Sequence, residues 1–380
     1  MQIIKRKEGL GNLLFEIGVL IELLVMITDH CTFWELPFRG RFTHIALVLF
    51  FLKILTTDYT KKQLIAIGVF GTLGTVSYFT CGDEYIVRMI IFVFAAKNVK
   101  LRMIFKIIFG GMLIGTFIII GVAFLGIAGE IKTIADFGRG SIETRYSLGF
   151  NHANNLHDVL WYLLAILLLF SHKKCGWKFY AGATAVNIGL FLLTLSRNGM
   201  IAVQILLVGC LLFKYVPKLE MRKWPYLLGI VSFALFLWMT WLGGSYGIGR
   251  SKMVAFLNIY LNNRLEMVWE YAPVASWSAF PEYRELMKVD NGFASFFFHY
   301  GYIVGILYVL IVICMICFFY KNRDGEGLCV IVTALFITFV ESTFIFNTSL
   351  LCNMVIVLFL KCWETRNTFE LEKNIYGDEN

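Results

Sequence analysis

The sequence predicts an all-α polytopic membrane protein, one domain over residues 1–380 with about twelve transmembrane helices. Three observations predict it: 58% of the residues are hydrophobic and only 16% charged, apolar stretches of spanning length recur along the chain, and lysines and arginines gather between them. A soluble domain averages about 45–50% apolar and about 25% charged residues, so water is not the main solvent for this surface.

The stretches fall near 11–29, 43–58, 63–80, 85–97, 104–127, 156–171, 178–196, 199–214, 225–242, 292–320, 328–342 and 345–361. About 20 apolar residues cross the hydrocarbon core of a bilayer as a helix. The first stretch follows a basic start but carries Glu16 and Glu22 with no small-residue cleavage site after it, which reads as an uncleaved span and not a signal peptide. The stretch at 85–97 is short and holds Arg88.

The net charge of +8 would suit a nucleic-acid partner if the cations shared one surface. They do not: Lys5, Arg6 and Lys7, then Lys61 and Lys62, Lys97 to Arg102, Lys173 to Lys178, Lys214 to Lys223, and Lys321 with Arg323 alternate with the spans. Counting from a cytosolic start puts every one of these clusters, and the polar tail 362–380, on the cytosolic face, as the positive-inside bias requires. Nucleic acid is therefore not expected as a partner. The same count leaves two long segments outside, 128–155 and the larger 243–291, and long loops on a compact bundle tend to carry function.

Most of the nine cysteines sit within the apolar stretches, where they act as small apolar residues. Cys314-Met-Ile-Cys317 has redox spacing but a buried setting. Cys31 and Cys81 both fall on the outer side, where a disulfide is open to them.

The outer segments hold arginines that the charge bias disfavours there: Arg139, Arg145, Arg197, Arg250, Arg264 and Arg284. As a group they suggest an anion at the outer face, and phosphate suits the guanidinium fork. Residues 254–271 read as one amphipathic helix, with Asn258, Asn262, Glu266 and Glu270 as a polar stripe and Leu257, Leu261, Leu265 and Val268 as the apolar face. Arg264 projects with the apolar face, either snorkelling to lipid headgroups or aimed into a cavity over the bundle. Arg197 ends a span in Leu195-Ser196-Arg197-Asn198-Gly199; its bland role is charge compensation at a helix C-terminus, with Gly199 as the left-handed stop. In Asp290-Asn291-Gly292 an N-cap and an acid placed to accept a proton are both open readings. His152 and Asn154 stand just before another span.

Set in order, these segments resemble the Wzy-type polysaccharide polymerases, which share a superfamily with the O-antigen ligases. Arg145-Tyr-Ser-Leu-Gly-Phe-Asn-His-Ala-Asn154 is similar to the family's Arg…Gly-Phe-x-His-Pro-Asn element, with Ala153 in place of proline. Leu-Thr-Leu-Ser-Arg197 resembles its span-terminal Ser-Arg, and Leu261-Asn-Asn-Arg264 the second arginine element, with Asn262-Asn263 where a small pair is usual. Asp290-Asn-Gly-Phe…Tyr300-Gly301 is similar to the Asp-Asn-x-Tyr…Tyr-Gly element of capsule polymerases.

The resemblance implies a GT-C-like membrane glycosyltransferase that uses neither metal nor cofactor. It would join undecaprenyl-pyrophosphate-linked repeat units into a capsular or O-antigen-type polysaccharide at the outer face of the bacterial cytoplasmic membrane. Donor and acceptor would both be lipid-linked oligosaccharides, with a flippase and a chain-length regulator as partners. Asp290 would be the catalytic base with His152 as its rival, and Arg197, Arg264 and Arg145 would bind the pyrophosphate. Asn154, Asn291 and Tyr300 would contact substrate, and Trp277 and Tyr283 are further outer aromatics for sugars. Two rivals stay open: a ligase that passes finished glycan to another acceptor, and a transporter or flippase, for which the intramembrane charges Glu16, Glu22, Lys53 and Arg88 are the relevant residues.

Overall fold

The computed structural model describes residues 2–33, 36–136, 141–275, 277–281, 289–342 and 348–364. Arg139, Tyr283, Arg284 and the tail beyond 364 lie outside the described residues.

A helix stands on each apolar stretch. In order these are α1 (Gln2–Asp29), α2 (Arg39–Leu55), α3 (Lys61–Cys81), α4 (Tyr85–Ala95), α5 (Leu101–Phe124), α6 (Ala153–Ser171), α7 (Trp177–Thr194), α8 (Arg197–Tyr215) and α9 (Lys223–Arg250). Two shorter helices, α10 (Lys252–Tyr260) and α11 (Arg264–Ala275), precede α12 (Gly292–Asn322), α13 (Gly325–Val340) and α14 (354–364). Seven helices, α1, α3, α5, α6, α8, α9 and α12, are long and apolar enough to cross a membrane, so the chain is a membrane-embedded helical bundle. The others are shorter or less apolar. The 11 residues of α4 reach about 16 Å at 1.5 Å per residue, half of a bilayer core.

α6 runs through the centre. Trp161 Nε1 donates to Thr333 Oγ1 of α13 at 3.0 Å, and the Tyr162 hydroxyl donates to the Leu351 carbonyl at 2.7 Å. On one flank, Phe15, Phe50 and Phe92 interlock α1, α2 and α4 with ring centroids 5.0–5.4 Å apart. Arg88, the cation in the short stretch, is explained here: its guanidinium pairs with Glu22 at 2.7 Å, both buried. Glu22 also accepts from the Leu350 backbone N–H at 2.9 Å, so the pair pins α4 and the segment before α14 to α1. Removing one partner of such a buried pair typically costs about 3–5 kcal/mol.

The basic clusters share one end of the bundle. Lys97 donates to the Asp58 carbonyl and to Gln63, Lys214 to the carbonyls of His172 and Lys173, and Lys361 to Asp324. The start of α1 is there too, with Gly11 against Lys53 and Thr56, and so is the end of α14, where Glu364 accepts from the Leu101 N–H.

At the opposite end the two long segments are folded. The first contains an antiparallel hairpin, β1 (Lys132–Asp136) with β2 (Ile142–Tyr146), in register Thr133 opposite Arg145. β-branched residues in both strands (Thr133, Ile134, Ile142, Thr144) are the local signal for it, where the sequence predicts only a loop. The hairpin is tied over the end of α1 by Asn151, whose N–H and side-chain amide donate to the carbonyls of His30 and Asp29. In the second segment α9 continues past the expected boundary to Arg250, breaking at Gly247, and α11 packs back along it.

The expected single amphipathic helix over 254–271 is not formed. It breaks at Asn262 and Asn263, both left-handed with φ of 52° and 63°, a conformation that asparagine tolerates better than most side chains. Asn258, expected on the polar stripe, is buried and caps α11: its Oδ1 accepts the N–H groups of Leu265 and Glu266, each at 3.1 Å. The apolar set is as expected, with Leu265 and Val268 fully buried.

Cys31 and Cys81 are not joined. Both thiols are buried and donate to helix carbonyls, of Thr28 at 3.3 Å and Ser77 at 2.9 Å.

Candidate functional site

A polar cavity of about 160 Å³ opens at the hairpin end, between β2, the start of α6, the α7–α8 junction, α10–α11 and the turn before α12. Arg145, His152, Asn154, Arg197, Arg264 and Asp290 all line it, with Ser196, Asn198, Ile259, Tyr260 and Asn262. Six of the eight residues singled out from the sequence thus converge from five separate parts of the chain. A cavity of that size admits a group about as large as benzene.

Arg197 is the first residue of α8, not the last of α7, because Leu195 takes the left-handed position (φ 52°) and Ser196 is the N-cap. The bland role expected for it therefore fails. A cation at a helix N-terminus opposes the macrodipole, while an anion there is favoured by both. Gly199 is not the stop either; it lies within α8, where a Cβ would come 2.4 Å from the Cβ of His157, so it sets how closely α8 meets α6. Arg197 is exposed to the cavity and makes no ion pair or hydrogen bond through its side chain among the described residues.

Arg264 turns inward rather than snorkelling to the surface. It is 8% exposed, its Nε donates to the Val340 carbonyl, one Nη to the Leu261 carbonyl at 3.2 Å, and the other Nη to Glu341 at 2.9 Å. Arg145 is the inward residue of β2 and is gripped by Glu143 through Nε and Nη2 at 3.0 and 2.8 Å. Two of the three arginines thus carry a carboxylate partner that the sequence did not identify, and Arg197 carries none.

The open reading of Asp290-Asn291 resolves cleanly. Asn291, fully buried, is the N-cap of α12: its Oδ1 accepts the Ala294 N–H at 2.9 Å and its amide donates to Thr240 at 3.1 Å. It is a structural residue, walled off from the cavity. Asp290 is released from capping and faces the cavity half-buried, with no hydrogen-bond donor on its carboxylate among the described residues. Tyr300 is also not at the cavity. It is 1% exposed, stacked on Tyr85 at 6.2 Å and bonded to Asp83, which His299 holds at 3.2 Å. The neighbouring Gly301 explains the turn: at φ 81° the helix breaks, and a Cβ would lie 2.3 Å from the Ala279 carbonyl oxygen. Trp277 packs on Phe298 with centroids 4.8 Å apart, and Arg250 stacks on Trp269 at 5.4 Å, so neither lines the cavity.

His152 is the N-cap of α6, its Nδ1 accepting the Asn154 N–H at 3.1 Å. That contact puts the neutral ring's proton on Nε2, a donor. Burial and the charge of Arg145 lower its pKa, Asp290 acts the other way, and Arg264 adds to the lowering, which favours the neutral ring. Asn154 donates through Nδ2 to Glu341 at 3.0 Å.

Glu341 is a residue of the cavity floor that the sequence pattern does not single out. It fell within the expected span 328–342, yet α13 ends at Val340 and Glu341 follows in extended backbone (φ −142°). Burial raises its carboxyl to about 7 against the pull of Arg264, with Asp290 adding to the rise. A carboxylate followed by serine at the end of an apolar run was the available signal.

No protein-family model matches the chain, and comparison with curated proteins and with solved structures returns no match.

Proposed function

We propose that the chain is a membrane glycosyltransferase of the polysaccharide-polymerase type, crossing the membrane twelve times in a GT-C-like arrangement with both termini cytosolic. On this reading it joins undecaprenyl-pyrophosphate-linked repeat units at the outer face of the cytoplasmic membrane. The observation that carries it is the convergence of Arg145, Arg197 and Arg264 with Asp290 in one small cavity. The cavity suits a phosphate-sized anion beside a group that accepts a proton.

In the reaction, a hydroxyl of the acceptor repeat attacks the anomeric carbon of the donor glycan. The new glycosidic C–O bond forms as the bond to the lipid pyrophosphate breaks, and the hydroxyl proton passes to Asp290. The leaving pyrophosphate takes the bonding pair, and its growing negative charge falls to Arg197 and the N-terminus of α8, with Arg264 and Arg145 beside it. Such prepositioned stabilisation is commonly the largest catalytic contribution. Asp290 is favoured over His152 because the imidazole already spends its Nδ1 lone pair on the Asn154 N–H. Asn154 serves through Glu341, while Asn291 and Tyr300 act on the frame and not on substrate.

A transporter has less to stand on. Its ionisable groups should face a midplane path, whereas Glu22 and Arg88 are buried against each other.

Arg197→Ala and Arg264→Ala, made separately in a producing cell, are each expected to lower polymer formation by about a hundredfold or more and leave single lipid-linked repeats. Normal long chains with the protein present would overturn the assignment. Long chains accumulating on the lipid carrier, untransferred, would identify a ligase instead.

A further inference from the structure

Glu341 does two things at once at the floor of the site. One oxygen, Oε1, accepts from both Arg264 Nη2 at 2.9 Å and Asn154 Nδ2 at 3.0 Å. The adjoining Val340 carbonyl accepts from Arg264 Nε. The end of α13 therefore decides where the Arg264 guanidinium sits, and couples α11 to α6 through a single carboxylate. This also creates a conflict. An anion entering the cavity must share Arg264 with a carboxylate already on it, and two anions on one guanidinium in a buried setting repel strongly.

We propose that Glu341 is a positioning residue for this anion site, holding Arg264 at the cavity wall and taking up a proton from solvent when a bound anion draws on that guanidinium. The inference rests on the cavity being an anion site, as argued above. The proton balance is simple: the carboxylate becomes a carboxylic acid, keeps its Asn154 contact as an acceptor, and the charge at the floor is removed as the anion's charge arrives.

The groups facing Glu341 agree with this. Arg264 from α11 is the cation paired with it, and Asn154 from α6 is neutral. Asp290, ahead of α12, is a like charge, and Asp158, one turn further along α6, is a second buried acid beside Glu341. The start of α12 presents Gly292, with no titratable group. Diverting that cation leaves burial and Asp290 acting on Glu341, both of which favour its protonated form. Since burial already lifts the carboxyl to about 7, losing the pull of Arg264 favours its protonation near neutrality.

The test uses the full-length protein in detergent, with sulfate as the probe because its charge does not change across the neutral range. Ionic strength is held constant, and calorimetry is run in buffers of different ionisation enthalpy. Wild-type protein is expected to take up protons on binding sulfate, with affinity falling by up to about tenfold per pH unit above neutrality. Glu341→Gln is expected to bind sulfate without that uptake and without the slope, and Glu341→Asp to restore part of both. Uptake that persists in Glu341→Gln, or sulfate binding to wild type without uptake, overturns the role of Glu341 and leaves the anion site standing. Failure of sulfate to bind wild type removes the anion site itself, and this role with it. Should Glu341→Gln not fold, infrared difference spectra of the wild type with isotope-labelled glutamate serve the same end: a protonated glutamate band must appear with sulfate, and its absence refutes the proposal.

Discussion

Asp290 and Asn291 are adjacent, chemically close, and set apart by where each side chain points. Asn291 closes the N-terminus of α12 and is buried with Thr240, which leaves Asp290 turned to the cavity without a cap to make. Exchange of Asp290 for asparagine is consequently free of any capping effect. Asp290→Asn is expected to keep the protein's thermal midpoint and detergent behaviour while polymer formation falls by about a hundredfold to ten-thousandfold, the usual range for a lost general base. Purified protein with lipid-linked repeats would measure it, and full turnover in the variant would return the base role to another group. His152 makes the contrasting case, a side chain whose apparent readiness as a base is removed by one backbone hydrogen bond.

At the scale of elements, the break between α10 and α11 is what brings Arg264 to the cavity. A continuous helix over 254–271 would carry it on one face of a straight rod. The two left-handed asparagines end α10, and Asn258 reaches across to cap α11, so the chain reverses direction within a few residues. Loss of a side-chain cap costs about 0.5–2 kcal/mol. Asn258→Ala is expected to lower stability by that order and to expose the 261–263 turn to protease, while α9 and α12 retain their hydrogen-exchange protection. Unchanged proteolysis at that turn would show that packing of Leu265 and Val268 on α9 holds α11 without the cap. The hairpin works in the same way for Arg145, since β2 offers one buried position and Arg145 takes it.

For the whole molecule, the arrangement sorts charge by end. The basic clusters, the start of α1 and the end of α14 lie together, and the cavity lies at the other end. The proposed mechanism requires the cavity end to face out of the cell. Single cysteines introduced at Lys132 and Lys173, in a background where other reactive thiols are replaced, are expected to react with a membrane-impermeant maleimide in intact cells and only in lysed cells, respectively. The reverse pattern would place the cavity in the cytosol and end the polymerase reading. The Glu22–Arg88 pair belongs to this scale as well: it fastens three distant segments, and the two charges account for each other without a transport path.

Much of this was legible from residue order. The positions of the helices, the two long segments at one end, the apolar set of Leu265 and Val268, and six cavity residues all follow from hydropathy, charge placement and motif order, because each is a local or periodic property of the chain. The hairpin was hidden because its strands are five residues each, too short for a periodic signal to stand out. The pairing of Glu22 with Arg88, 66 positions apart, of Arg264 with Glu341, 77 apart, and the burial of Tyr300 were beyond reach. So was the choice between Asp290 and Asn291 for the cap. By itself the sequence determined that this protein lives in a membrane and which cations it keeps from the lysine-rich end. Only the tertiary structure decided which of those cations are already neutralised, because a carboxylate's partner is set by the distance between helices and not by its place in the chain.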